Sequence, residues 1–268
     1  MKYCRFQLDN QALYGSVEDR SGEPWIVALA PAPQEDLAYR LQPSPPTAFT
    51  PIPLSNATLL PPVTPSKIVC VGRNYREHVK ELGNEMPAEP LLFYKPPSSL
   101  LPPGGVIRLP KASVRVDFEG ELALVIGRRS SKLKPGGDFT GVVRGLTLAN
   151  DISARDLQKK DVQWARAKGF DTFCPIGPWV SDELDPEPGL TIETHLNGEL
   201  RQHGSTADFI FTIRQLLVYI TAAITLEPGD VLLTGTPSGV GPMVSGDRVE
   251  VSMAGLGVLS NTVASEGD

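Results

Sequence analysis

Two glutamates separated by a single glycine stand inside a run otherwise built like a buried strand, "VDFEGELALVIG", residues 116–127. Side chains alternate along a strand, so Glu119 and Glu121 point to the same side, their Cα atoms about 6–7 Å apart. That side continues with Ala123 and Val125, while Phe118, Gly120, Leu122, Leu124 and Ile126 form an apolar opposite face. A bare E-x-E most often lies on a solvated face across from lysines. Here the acidic end adjoins a buried interior, where converging carboxylates repel unless a cation sits between them. Asp151, which ends the apolar stretch "GLTLAND", is the candidate third carboxylate; the bland alternative is a cap or turn residue. Three carboxylates without histidine make a hard oxygen site suited to Mg²⁺ or Mn²⁺. Zinc is disfavoured, because His78, His195 and His203 lack ligand spacing and Cys4, Cys70 and Cys174 form no C-x-x-C pair.

A second group lies in "VGRNYREHVKELGNE", residues 71–85. A short helix stopped by Gly83 would place His78 and Glu81 on one face, at i and i+3. That is either a solvated surface pair or a dyad in which a carboxylate orients an imidazole to take a proton. The charges around it (Arg76, Glu77, Lys80) suit a lid that closes over a site. In "LLTGTPSGVGP", 232–242, the Thr234 and Thr236 hydroxyls and nearby N–H groups could hold a substrate carboxylate, or the segment is a plain turn. Arg155, Gln158 and Lys168 occur in "ARDLQKKDVQWARAKGFD"; any of them could steady an oxyanion, and spacing does not choose among them.

Elements must position these groups. Residues 1–30 alternate like a β-meander with turns at Asp9-Asn10 and Ser21-Gly22, and ten prolines follow between Pro31 and Pro65. Residues 1–60 therefore read as a small β-rich lobe with a proline-rich linker, and 61–268 as the catalytic domain. From Lys67 many short strands follow, with an Asn197-Gly198 hairpin and two helical segments, 208–224 and 153–168, the latter opening on a Ser153/Asp156 capping pattern. The fold class is mainly β with some α (α+β); the absence of a regular βα alternation argues against Rossmann and TIM layouts. A net charge of −6 and no basic block argue against nucleic acid. No segment approaches the roughly 18 apolar residues of a membrane span and the N-terminus carries no apolar signal core, so the expectation is a cytoplasmic enzyme with neither membrane nor nucleic-acid partners.

Taken together, "VGRNYREHVKEL", "EPLLFYKPPSSL", "DFEGELALVIG", "LANDISARDLQ", "WARAKGFDTFCPIGP", "LNGELRQHGSTADFIF" and "LEPGDVLLTGTPSGVGP" resemble the fumarylacetoacetate hydrolase family, in the family's order from Ser66 to about Val263. The resemblance implies a β-roll catalytic fold and Mg²⁺ or Mn²⁺ held by Glu119, Glu121 and Asp151. It implies that His78 and Glu81 act from a lid, that Lys168 and Gln158 line the site, and that Thr236 reaches the substrate carboxylate. Arg73, Lys95 and Arg155 are carried over as substrate-binding residues. Fumarylacetoacetase has a further aspartate ligand before its catalytic histidine; here "KIVCVGRNY" holds no acid, so the chain is more similar to the acylpyruvase and oxaloacetate decarboxylase branch. The implied substrate is a short 2-oxo acid: a 2,4-dioxo acid hydrolysed at a carbon–carbon bond, or oxaloacetate decarboxylated, either leaving a pyruvate enolate. The alternative on the same scaffold is a dienedioate isomerase or oxaloacetate tautomerase; a catalytically silent binding protein is the third. The family also implies a homodimer.

Overall fold

In the computed structural model, residues 1–187 and 189–267 are described. The hairpin turns fall where the residues demand them. Asp9-Asn10, Ser21-Gly22 and Asn197-Gly198 each connect antiparallel neighbours through two residues with positive φ, from 46° to 87°, the geometry that matches strand twist.

The longest sheet has twelve strands. Its middle runs Cys174–Ser181, Val143–Asn150, Gly120–Ile126, Val231–Leu233, Ile68–Gly72 and Leu91–Lys95, antiparallel except for the parallel pair Val231–Leu233 and Ile68–Gly72. The N-terminal meander (Lys2–Leu8, Gln11–Arg20, Glu23–Ala30) continues this sheet, because Lys2 and Tyr3 pair with Ser181 and Val180. The proline-rich stretch contributes short strands, Ile52–Pro53 and Thr58–Leu60, that pair back onto the meander. A second sheet of five strands includes Thr191–Leu196, Glu199–Ser205, Arg248–Met253 and Gly257–Ser265.

The main core lies between the sheets. Leu122, Leu124, Ile126, Leu146 and Leu148 of the long sheet cluster with Ile192, Val251, Met253 and Leu259 of the second and with Leu216, Leu217 and Ile220 of a helix, Ile213–Ala223. On the other face Ala123, Val125, Ala149, Cys174 and Ile176 cluster with Tyr3 and Tyr14. Gly120–Ile126 is thus buried on both faces, as the alternation predicts.

Three expectations need correction. The run 116–127 is not one strand: Val116–Phe118 belongs to a small three-stranded sheet and Gly120–Ile126 to the long one, with the break at Glu119. The helix expected over 208–224 starts only at Ile213, capped by Thr212, whose hydroxyl accepts the Gln215 N–H (3.3 Å) while Gln215 Oε1 accepts the Thr212 N–H (2.8 Å). The segment 153–168 holds two short helices, Arg155–Lys160 and Ala165–Gly169, and Ser153 caps neither: its hydroxyl donates to the Asp151 carbonyl at 2.9 Å. Among the described residues no helix is long and apolar enough to cross a membrane.

Candidate active site

The break at Glu119 builds the site. Gly120 pairs with Asn150, so Glu119 and Asp151 are the residues just past the end of one ladder. Side chains replace the missing sheet bonds: Asn150 Oδ1 accepts the Glu119 N–H (2.8 Å), and Gln202 Oε1 accepts the Gly120 N–H (2.9 Å). The Asp151 N–H donates to the Glu119 carbonyl at 2.8 Å. Gly120 is obligatory, because a Cβ there would collide with Thr194 Oγ1 and press on Val251. As a result Glu119, Glu121 and Asp151, all buried, each bring a carboxylate oxygen within 4.8 Å of the others.

Cations surround this trio unevenly. Lys168 Nζ lies 2.8 Å from Glu119 Oε2 and 2.6 Å from Asp151 Oδ2. Arg155 reaches Glu119 Oε1 at 2.6 Å and, with its Nε, Asp117 Oδ2 at 2.9 Å. Burial alone would raise the Glu119 carboxyl, but Lys168, then Arg155 and His78, outweigh it and hold it well below the usual range. Burial would depress Lys168, and Asp151 and Glu119 reverse that and raise it. Glu121 is the odd member. Burial, then the charges of Asp151 and Glu119, push its carboxyl well above normal; the Lys168 field and one N–H, from Gly235 at 2.7 Å, are what ease it. An all-oxygen trio of buried carboxylates, each with an oxygen within 4.8 Å of the others, is a donor set that fits a hard divalent cation.

The segment expected to act as a lid holds the helix Arg76–Glu81, followed by Gly83 at φ 65°. His78 is buried, its Nδ1 3.1 Å from Glu81 Oε2, while Glu81 Oε1 accepts the Gly239 N–H at 3.0 Å. Glu81 therefore both orients the imidazole and ties this helix to the glycine-rich loop. With Nδ1–H assigned to Glu81, Nε2 is the nitrogen left to accept a proton. Shortly before this helix Arg73 adopts φ 58°, a strained value for a residue with a side chain. Next to it the Asn74 amide donates to Thr234 O (2.9 Å) and Phe211 O (3.2 Å) and accepts the Phe211 N–H (2.9 Å).

A cavity of about 360 Å³ gathers nine of the twelve candidate site residues read from the sequence: Arg73, His78, Glu119, Glu121, Asp151, Arg155, Gln158, Lys168 and Thr236. Glu81 stands behind His78. Lys95 does not face the cavity: its side chain is fully buried, its Nζ is 2.7 Å from Asp151 Oδ1, and a direct grip on substrate has no open atom there. Thr234 also turns away, its hydroxyl donating to Leu122 O at 2.8 Å. Thr236 lines the cavity with its proton committed to Gly120 O (2.8 Å) and its oxygen accepting from Gln202 Nε2 (2.7 Å). Gln158 Oε1 accepts from Arg155 (2.9 Å). Sequence reasoning missed Phe93 and Trp164, which meet edge to face at 5.4 Å and wall the cavity, and Lys159 at its rim. A larger cavity, about 750 Å³, lies between the meander and Gly257–Ser265, and among the described residues Asp19 is its sole carboxylate.

Residues 67–264 match the model of the fumarylacetoacetate (FAA) hydrolase C-terminal domain. Protein Rv2993c of Mycobacterium tuberculosis is 46% identical over 217 residues, covering 80% of this chain and 82% of that protein. Oxaloacetate tautomerase YisK of Bacillus subtilis is 40% identical over 225 residues, covering 78% of this chain and 74% of its own. A crystal structure of 2-hydroxyhepta-2,4-diene-1,7-dioate isomerase from Mycobacterium marinum superposes with a TM-score of 0.85 at 38% identity, over 100% of both chains. Through matches of this extent, and through a site assembled from the family's own stretches, the chain belongs to the fumarylacetoacetate hydrolase family of enzymes.

Proposed function

We propose that this enzyme moves a proton at C3 of a short 2-oxo dicarboxylic acid, as a keto–enol tautomerase or double-bond isomerase charged with Mg²⁺ or Mn²⁺. The observation that carries the reading is the meeting, in one cavity, of three buried carboxylates with an imidazole whose partner is already in place. Glu119, Glu121 and Asp151 would hold the ion, which when bound supplies Lewis-acid polarisation of the 2-oxo acid. The other tasks fall to the chain. His78 Nε2 accepts the C3 proton, and Glu81 stabilises the imidazolium that forms. The imidazolium then gives the proton up to the 2-oxo oxygen in a tautomerase or to the far carbon of the dienol in an isomerase, leaving His78 neutral for the next turnover. Lys168 Nζ, the nearest ammonium, steadies the negative charge that develops on the 2-oxo oxygen. Phe93 and Trp164 give the cavity an apolar wall that keeps water from the reacting carbon.

The second carboxylate follows from charge accounting. Arg155 and Lys168 are paired with carboxylates, whereas Arg73 and Lys159 line the cavity without a carboxylate partner among the described residues. Two unneutralised cations at the rim favour a dianionic substrate. The relatives' names, an oxaloacetate tautomerase and a dienedioate isomerase, are of dicarboxylate enzymes and support the same class.

Carbon–carbon cleavage is the second reading, favoured by the His78–Glu81 dyad, which could equally draw a proton from water attacking a C4 carbonyl. Product analysis divides the two. Oxaloacetate and acylpyruvates are incubated with enzyme and Mg²⁺ in D₂O and followed by proton NMR. Rapid interconversion and C3 deuteration of oxaloacetate without free pyruvate is expected; stoichiometric pyruvate would give the cleavage reading.

A further inference from the structure

Lys95 touches a candidate ligand without facing the cavity. It is the last residue of the strand Leu91–Lys95, and its Nζ sits 2.7 Å from Asp151 Oδ1 and 3.3 Å from Ile152 O. The other oxygen of the same carboxylate, Oδ2, is 2.6 Å from Lys168 Nζ, a residue of the cavity wall. Asp151 is therefore gripped from two sides, its two oxygens assigned to different lysines.

A buried ammonium is expensive where an apolar side chain would fill the same volume. Cys70 and Cys174, whose thiols feel the Lys95 charge, belong with Phe93 to the adjoining apolar core. An ion pair kept merely for stability is a weak reason for it, since such pairs seldom gain over hydrophobic replacements. A device for fixing the orientation of a ligand is a stronger one, because partners behind metal-ligating groups decide which atom is presented.

We propose that Lys95 is a positioning residue: it retains Asp151 Oδ1 outside the cavity, so that Asp151 offers a single oxygen, Oδ2, to the divalent ion. This deepens the reading of Glu119, Glu121 and Asp151 as the metal site and rests on it. In this account Lys95 has no contact with substrate, and its influence passes entirely through the aspartate.

The test uses the full chain, stripped of metal and titrated with Mn²⁺ alone, by calorimetry and by electron paramagnetic resonance of the bound ion. Wild type should show one site that Glu121→Gln weakens severely. Lys95→Met should bind Mn²⁺ about tenfold to a hundredfold more weakly, with an altered zero-field splitting as Asp151 becomes free to use both oxygens. Lys95→Arg should recover part of the affinity. Asp36→Asn, which weakens a buried contact with Tyr14 in the N-terminal region, should lower the melting temperature without moving Mn²⁺ affinity, separating positioning from general destabilisation. If Lys95→Met does not fold, Lys95→Gln, which keeps an N–H for Asp151, carries the test with several-fold weakening expected. Affinity within twofold of wild type and an unchanged spectrum in the Lys95 variants would overturn the positioning role alone. A wild-type chain that binds no Mn²⁺, or binds it undiminished in Glu121→Gln, would overturn the metal site and the inference with it.

Discussion

Glu121 and Asp230 are carboxylates of equal seclusion, 2% and 0% exposed, at opposite ends of the neighbouring strands Gly120–Ile126 and Val231–Leu233. Asp230 is saturated. It accepts the Ser66 hydroxyl (2.7 Å), the N–H groups of Ser66 (3.1 Å), Lys67 (3.1 Å) and Glu227 (2.8 Å), and it pairs with Lys67 Nζ. Glu121 receives one N–H and otherwise meets two more carboxylates. Burial is therefore not what marks a functional acid. A buried charge fully met by the protein belongs to the architecture, whereas one the protein leaves in surplus belongs to something that arrives from outside.

Substitutions should pull the two acids apart. Glu121→Gln should cut turnover by about a thousandfold or more, the scale of losing metal-ion catalysis worth several kcal/mol. The melting temperature of its metal-free form should equal or exceed that of metal-free wild type, since a buried ionisable group crowded by Asp151 and Glu119 has been replaced by a neutral amide. Asp230→Ala should do the reverse. It strands several buried donors and the Lys67 ammonium, so urea unfolding should show a loss of about 3–5 kcal/mol, while the folded fraction keeps its turnover. His78→Ala should lower kcat by about 10²–10⁴-fold with little change in stability. Smallest, Arg73→Met should reduce kcat/KM for a dicarboxylic 2-oxo acid by about tenfold to a hundredfold, the worth of one charged hydrogen bond, and should leave a monocarboxylic analogue almost unaffected.

Much of this contrast was legible in the residues. Alternation located the Glu119/Glu121 side and the apolar opposite face, the Asn-Gly and Asp-Asn pairs located hairpins, and the i, i+3 spacing of His78 and Glu81 located the dyad. What escaped depends on distant contacts. No local pattern says that Asn150 and Gln202 side chains will take over the backbone bonds at Glu119 and Gly120, so the broken strand read as continuous. Cys174–Ser181, "CPIGPWVS", contains two prolines and a glycine and carries no strand signal of its own, although it lies beside Val143–Asn150 in the sheet. The late helix start was in fact encoded: Thr212-Ile213-Arg214-Gln215 is a capping box, and residues 209–211 are drawn away toward Tyr75 and Asn74. Lys95 and Trp164 carry no sequence signal of their places, one behind a ligand and the other in a wall.

If the crowding of Glu121 by Asp151 and Glu119 serves a metal, as proposed, catalysis needs a dication in that place. Protein dialysed against EDTA should leave enolic oxaloacetate at its spontaneous rate, and one equivalent of Mn²⁺ should restore turnover in wild type but not in Glu121→Gln. Turnover that persists in the chelated protein, or that Mn²⁺ restores equally in both, would contradict the account.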